Sequence, residues 1–261
     1  MTRLTTAPIA AFVCVALTSA LHGQSDTASA RSAELALFAG VSQGARLETT
    51  ASPRTFSGPG FAASLDFRRP FSQRWTFATS IGTDLRRFRP TASGEAGQEQ
   101  IAEGDLRAML LRRIWGAPPS SFSLGLATAL DVTQTVHHYA DPARHFANFM
   151  FTSATMGPAV SWARSIRGGV ANVELSSPLI GLVDHPYSDH RQGDGFDRVR
   201  VATAAELRGI SGTLRYAPAE RGSFGVVYAY HFDLSRYADV QPMRSASQSF
   251  SIGIRKRFGP R

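Results

Sequence analysis

Residues 121–133 read Ser-Phe-Ser-Leu-Gly-Leu-Ala-Thr-Ala-Leu-Asp-Val-Thr, and the chemistry of the side chains alternates along the stretch. Phe122, Leu124, Leu126, Leu130 and Val132 share one face of an extended chain, while Ser123, Gly125, Ala127, Ala129 and Asp131 share the other. Successive side chains of a strand point to opposite sides of the sheet, so this period predicts a β-strand with one apolar face. The polar face is the more informative. On a half-buried soluble sheet it would usually carry Lys, Glu and Thr. Gly, Ala and Ser mixed with Asp suit a confined interior that is water-lined or salt-bridged.

The same pattern recurs along the chain. Trp75, Phe77, Ile81 and Leu85 alternate with Ala78, Ser80, Gly82, Asp84 and Arg86. Phe224, Val226, Tyr228, Tyr230, Phe232 and Leu234 alternate with Gly225, Ala229, His231 and Asp233. Near the C-terminus, Phe250, Ile252, Ile254 and Phe258 alternate with Ser249, Ser251, Gly253, Arg255 and Arg257. The reading is of about ten strands (eight to twelve), over 33–43, 59–69, 74–88, 100–115, 121–138, 146–163, 169–182, 198–216, 222–236 and 245–258. The segments between them alternate in length. Pro70 to Gln73, Gly116 to Ser120, Ser165 to Gly168 and Pro218 to Arg221 are short. Gln43 to Gly58, Arg89 to Gln98, Tyr139 to His145, Val183 to Asp197 and Tyr237 to Arg244 are longer. All short turns then lie at one end of the array, with both chain ends, and all longer loops at the other.

That asymmetry, an even strand number and one apolar face are the pattern of transmembrane barrels. A tilted strand crosses the hydrocarbon in roughly 9–11 residues, and only closure leaves no unpaired backbone edge in lipid. Trp75, Phe88, Trp115, Trp162, Tyr216 and Phe258 are expected to form interfacial girdles. Trp115 is out of phase with Leu106, Leu110 and Ile114, which calls for a bulge or a strand end. The apolar face also switches parity between Leu207 and Ile210, and Pro178 interrupts its strand; each calls for a bulge or a break. The soluble alternative, a lipocalin-like barrel or β-sandwich, would turn the Arg/Asp face outward and leave it unusually rich in Gly, Ala and Ser.

Composition narrows the class further. Of 261 residues 43% are apolar and 18% charged, against about 25% charged in typical soluble domains. Arg dominates a formal net charge of +8, with Lys256 the single lysine. No basic run or aromatic-basic module accompanies that charge, so no nucleic-acid partner is expected. Residues 1–23 have the layout of a cleaved signal peptide: Arg3, an apolar stretch from Ala7 to Leu21, and small residues at Thr18, Ser19, Ala20 and Gly23. Residues 24–32 lack periodicity and read as a disordered lead, which leaves 33–261 as the barrel. Cys14 is the only cysteine, and cleavage would leave a mature chain without disulfides, thiol chemistry or Cys-based metal sites.

With its leader, alternating strands and a final strand bearing Phe258, the chain resembles bacterial outer-membrane β-barrel proteins. The resemblance covers nearly the whole mature chain and rests on pattern, so it implies an architecture and no subfamily. It implies outer-membrane location, contact with the lipid bilayer and lipopolysaccharide, and insertion by the barrel-assembly machinery, which in that class recognises a terminal strand ending in Phe. Here Gly259, Pro260 and Arg261 follow it.

Enzymes of that class supply patterns to look for. No His-x-Ser pair of the phospholipase type occurs in the mature chain. Omptin-type proteases, also ten-stranded, use carboxylates and a His–Asp pair near the extracellular rim. His231 and Asp233 share a face and, with Asp84, are the weak catalytic candidates, although the order is reversed from the family's Asp-x-His. His137, His138, His145, His185, His190 and His231 are placed at the loop end, but without the spacing of a metal motif, so no metal or cofactor is expected. The loop Asp184 to Asp197 is unusual in composition, and His185, Tyr187, His190 and Arg191 are its candidate recognition residues for an unknown extracellular ligand. Asp66, Arg68, Asp84, Arg86, Asp105, Arg107, Asp131, Glu174, Glu206, Arg208, Asp233, Arg255 and Arg257 are the expected lumen charges, with Glu34 on the same face. They fit either a salt-bridged plug or a narrow, porin-like pore. Because eight strands already enclose little more than their own side chains, ten leave limited room and favour the plug. The leading expectation is a non-enzymatic structural or surface-binding barrel. A small channel for polar solutes and a rim-sited hydrolase are the alternatives.

Overall fold

The computed structural model describes residues 32–48, 55–90, 97–138, 147–184, 199–219, 223–238 and 242–258. The described residues form strands β1 (Ala33–Glu48), β2 (Thr55–Pro70), β3 (Trp75–Pro90), β4 (Gln98–Ala117), β5 (Ser120–His138) and β6 (Ala147–Ile166). These are followed by β7 (Gly169–Ser176), β8 (Ile180–Asp184), β9 (Arg200–Thr203), β10 (Leu207–Pro218), β11 (Phe224–Tyr237) and β12 (Met243–Phe258). Neighbours in sequence pair antiparallel from β1 to β7 and from β10 to β12, β7 pairs β10, and β1 pairs β12, so β1–β7 and β10–β12 close into a ten-strand barrel. The short strands β8 and β9 extend β7 and β10 upward on the loop side.

Alternation explains which side faces out. Leu37, Phe61, Leu85, Leu126 and Ile252 are exposed, and their sequence neighbours turn into the barrel. Trp115 and Trp162, with Phe71, Phe224 and Phe258, are exposed at the short-turn end and form an aromatic belt there. The Lys256 ammonium lies 5.1 Å from the Phe224 ring centre and 5.0 Å from that of Phe258. A long side chain can thereby run along the apolar wall and hold its charge beside the aromatic rim.

The three irregularities anticipated from sequence are all present. The β4–β5 register shifts between Arg113 and Trp115, which leaves both Ile114 and Trp115 exposed. The strand containing Pro178 is broken into β7 and β8, and the parity switch before Ile210 is the break between β9 and β10.

Other expectations need correction. The loop placed at 43–58 is mostly strand, with Gly44 paired to Gly58 and Leu47 to Thr55. Small residues there blur the alternation, but inward Arg46 and Phe56 anchor it. Phe88 belongs to no girdle. It has the opposite parity from Leu85 and lies fully buried inside, against Phe56 and Ile101. The interior is therefore not only small and polar. Phe151, Val183, Ala202, Leu207, Tyr237 and Met243 form a second apolar cluster toward the loop end, and Phe38 packs with Ala36, Val227 and Ala229 lower down. Small residues make this packing possible: a Cβ on Gly253 would lie 2.6 Å from Phe38.

Candidate functional site

The barrel interior is built around arginines. Four strands lie between β4 and β11 in either direction round the ring, so Arg107 and Asp233 stand on opposite walls. Their side chains meet across the lumen at 3.5 Å. Arg107 also lies 3.6 Å from Asp105 and donates to Ser211 of β10. Below it, Arg68 of β2 pairs with Glu174 of β7, again on opposite walls. Arg215 completes that layer, 2.6 Å from Asp66 and 3.3 Å from Glu174. Nearer the loop end Arg86 lies 3.1 Å from Asp84 and pairs with Glu103, while Ser42 donates to Asp84 at 2.7 Å. Glu34 meets Arg255 at 3.7 Å and Arg257 at 3.3 Å at the short-turn rim.

Guanidinium groups suit this work because one planar fork can satisfy several carboxylate or hydroxyl oxygens at once. A lumen charge without such partners would lose more in desolvation than it gains. The arrangement divides the axis. A cavity of about 170 Å³ lies on the loop side of Arg107. A second of about 130 Å³ lies between Arg107 and the Glu174–Arg215 layer. A third of about 20 Å³ lies beneath that layer, beside Glu34 and Arg68. Toward the loop end the interior carries the apolar clusters of Phe88 and Tyr237, and His137 contacts Glu99 at 3.2 Å beside Phe56.

Most of the expected lumen charges fall where alternation places them, including Asp131, which accepts a hydrogen bond from Ser153 at 3.3 Å. Three do not. Arg208 is exposed, because the break before β10 reverses its parity. Glu206 lies in the turn at that break, where it accepts from the Thr203 backbone N–H at 3.1 Å. Arg257 lies at the open rim, 43% exposed. Conversely, Arg215 and Glu103 belong to the ion-pair layers and were missed. Their signal was present: Arg215 alternates with Leu214 and Tyr216, and Glu103 shares the parity of Asp105 and Arg107.

The catalytic candidates are engaged elsewhere. His231 is the eighth residue of β11's 14, in the middle of the wall rather than at the loop end. Its Nδ1 is 3.1 Å from Thr213 Oγ1, while Asp233 faces Arg107 and Asp84 faces Arg86. Among the described residues no cluster of His, Cys, Asp and Glu could hold a metal ion. His185, Tyr187, His190 and Arg191 lie outside the described residues.

No family model matches the chain. No curated protein is significantly similar to it. Solved structures do share its fold. The outer membrane protease OmpT from Escherichia coli superposes with a TM-score of 0.55 over 91% of this chain and 99% of that one, at 7% identity. The translocator domain of the autotransporter NalP from Neisseria meningitidis gives 0.49 over 97% of each chain, at 12% identity. Ail, the attachment invasion locus protein of Yersinia pestis, gives 0.40 over 85% of this chain and 98% of that one, at 11% identity. The chain has the fold of the bacterial outer-membrane β-barrels.

Proposed function

We propose that this chain is an exported, non-enzymatic barrel of the bacterial outer membrane, with a closed lumen, that presents its loops to an extracellular partner. The observation that carries the reading is the pair of ion pairs tying opposite walls, Arg107–Asp233 and Arg68–Glu174. A conducting barrel needs a continuous aqueous path, and these ties cross the axis at two levels with packed aromatics toward the loop end. A hydrolase of the rim type needs its acid and base within reach of each other and of substrate. Here His231 and Asp233 each serve a different partner inside the wall.

The remaining parts of the proposal follow from the exterior. The apolar band and aromatic belt fit a lipid bilayer with lipopolysaccharide outside, and β12, ending at Phe258, is the element offered to the assembly machinery. Residues 1–23 are the export signal. Recognition falls to the longer loops, with 185–197 the first candidate because of its His, Asp and Tyr content.

Conductance in planar bilayers tests the reading. Protein folded in detergent, identified by a gel band that shifts on boiling, is expected to give no discrete steps. The double variant Arg107→Ala with Glu174→Ala removes a tie at each level and is expected to give small ones. Steps from the unaltered protein would make it the small pore and end the closed-lumen reading.

A further inference from the structure

Three arginines stand side by side on the outer face of the last three strands. Arg208 of β10 lies directly opposite Arg236 of β11, and Arg236 directly opposite Arg244 of β12. All three are exposed, whereas Leu207, Tyr237 and Met243 beside them are buried inside. Arg208 joins the row because the chain breaks between β9 and β10. The parity of Val199 and Val201, carried on unbroken, would have turned it into the lumen.

Like charges directly opposite on a sheet repel, and among the described residues none of the three arginines has an ion-pair partner. Glu206, the carboxylate nearest Arg208 in sequence, lies 3.7 Å from Arg200 and accepts from the Thr203 N–H. Asp233, three residues before Arg236, points inward to Arg107. A row of this kind is satisfied by an anion from outside the chain.

Its height on the wall is a second, independent observation. The outward residues from Ala246 to Ile254 on β12 carry no charge, and neither do those from Val226 to Leu234 on β11. Residues 245–255 separate Arg244 from Lys256, which sits at the aromatic rim beside Phe224 and Phe258. That length matches the roughly 9–11 residues a tilted strand needs to cross the hydrocarbon. The row therefore falls where the apolar band ends on the loop side. Ile210 and Leu234 are exposed next below it, and Tyr230 and Phe250 lie exposed further down.

A guanidinium fork takes phosphate oxygens two at a time, and strands about 4.8 Å apart bring three such forks to one headgroup. We propose that the row is the docking site of a phosphorylated lipid of the outer leaflet. Arg208, Arg236 and Arg244 hold its phosphate, and its acyl chains lie along Ile210, Leu234 and Phe250. A soluble polyanion would use the charges but not the apolar strip beneath them, and that strip favours the lipid. The inference rests on the bilayer placement proposed above and does not depend on whether the lumen conducts.

The test uses full-length protein folded in detergent, identified by its heat-shifting band. Native mass spectrometry compares the binding of bisphosphorylated lipid A with that of lipid A stripped of its phosphates. The bisphosphorylated form is expected to bind at concentrations where the stripped form does not. Arg208→Gln, Arg236→Gln and Arg244→Gln together are expected to weaken it by about tenfold or more, the order of a lost charge-assisted contact. Arg87→Gln with Arg89→Gln, which changes exposed cations of β3 outside the row, is expected to leave binding nearly unchanged. If the triple variant gives no heat-shifting band, Arg236→Glu at the centre of the row is read in its place. Equal binding of the stripped form would overturn phosphate as the recognised group, and equal loss in the β3 variant would overturn the row as a site. Displacement of lipid A by inositol hexakisphosphate at equal concentration would give the row to a soluble polyanion and overturn the lipid. Flotation with phosphatidylcholine vesicles separates this inference from the reading it rests on. A protein that floats but holds no lipid A loses the site alone, and one that does not float loses the bilayer placement as well.

Discussion

At the scale of single residues the barrel is held from inside by groups that sequence rules usually place outside. Glu174 illustrates the cost of that choice. It is almost fully buried and shared by Arg68 and Arg215. Replacing it with Gln keeps the shape but leaves two guanidiniums facing a neutral amide. Glu174→Gln is expected to lower unfolding stability by about 3–5 kcal/mol, the usual loss when one partner of a buried pair is removed. The shift of the denaturant midpoint in detergent micelles measures it. Arg107 allows a sharper comparison, because its partner Asp233 can be removed with it. Arg107→Met combined with Asp233→Leu is expected to be more stable than Arg107→Met alone, since the double change orphans only Asp105, whereas the single change orphans Asp105 and Asp233 together. If the double variant is the weaker one, the tie across the lumen is not what links the two residues. Phe88 is the apolar counterpart. Fully buried against Phe56 and Ile101, it should cost about 3–5 kcal/mol when cut to Ala, read by the same denaturation.

At the scale of elements the turns at the short-turn end carry backbone constraints of their own. Gly168 has φ of 81° in the turn between β6 and β7, in the left-handed region that Cβ-bearing residues avoid. Gly168→Val is expected to cost about 1–2 kcal/mol, seen as a lower midpoint with the heat-shifting band retained. Strands and their facing were largely legible in the sequence, because parity at Leu124, Leu126 and Leu130 or at Ile252 and Ile254 is a local property. Local too were the signals for the irregularities at Trp115, Pro178 and Ile210. The extent of β1 and β2 was not legible, because Gly44, Ala45, Gly58 and Pro59 carry no face preference and pair only because their neighbours do. Partners across the lumen were hidden for a different reason. That Arg107 meets Asp233 and Arg68 meets Glu174 depends on the shear of the closed barrel, which no stretch of chain records. Phe88 was misplaced by treating an aromatic near a strand end as a belt residue without checking its parity against Leu85.

At the scale of the whole molecule the two faces of the wall do opposite work. The outside is apolar, with an aromatic belt at one rim, and the inside is a sequence of ion-pair layers ending in aromatic packing toward the loops. β1–β6 run 16 to 20 residues, well beyond the roughly 9–11 needed to cross the hydrocarbon. In the proposed bilayer-spanning arrangement the wall continues past the membrane, which puts Phe56, Phe88 and His137 in the projecting part and leaves Arg107 at membrane depth. The central claim is that this wall spans a bilayer with its alternating faces turned to lipid and lumen. Single spin labels placed in turn at residues 122–133 of the protein in liposomes test it most directly, through collision rates with oxygen and with a water-soluble nickel chelate. Oxygen accessibility is expected to oscillate with a period of two, highest at Leu124, Leu126 and Leu130, with the chelate excluded from those positions. A soluble barrel would contradict this account by giving low oxygen accessibility at the same leucines and open access to the chelate at Ala127, Ala129 and Asp131.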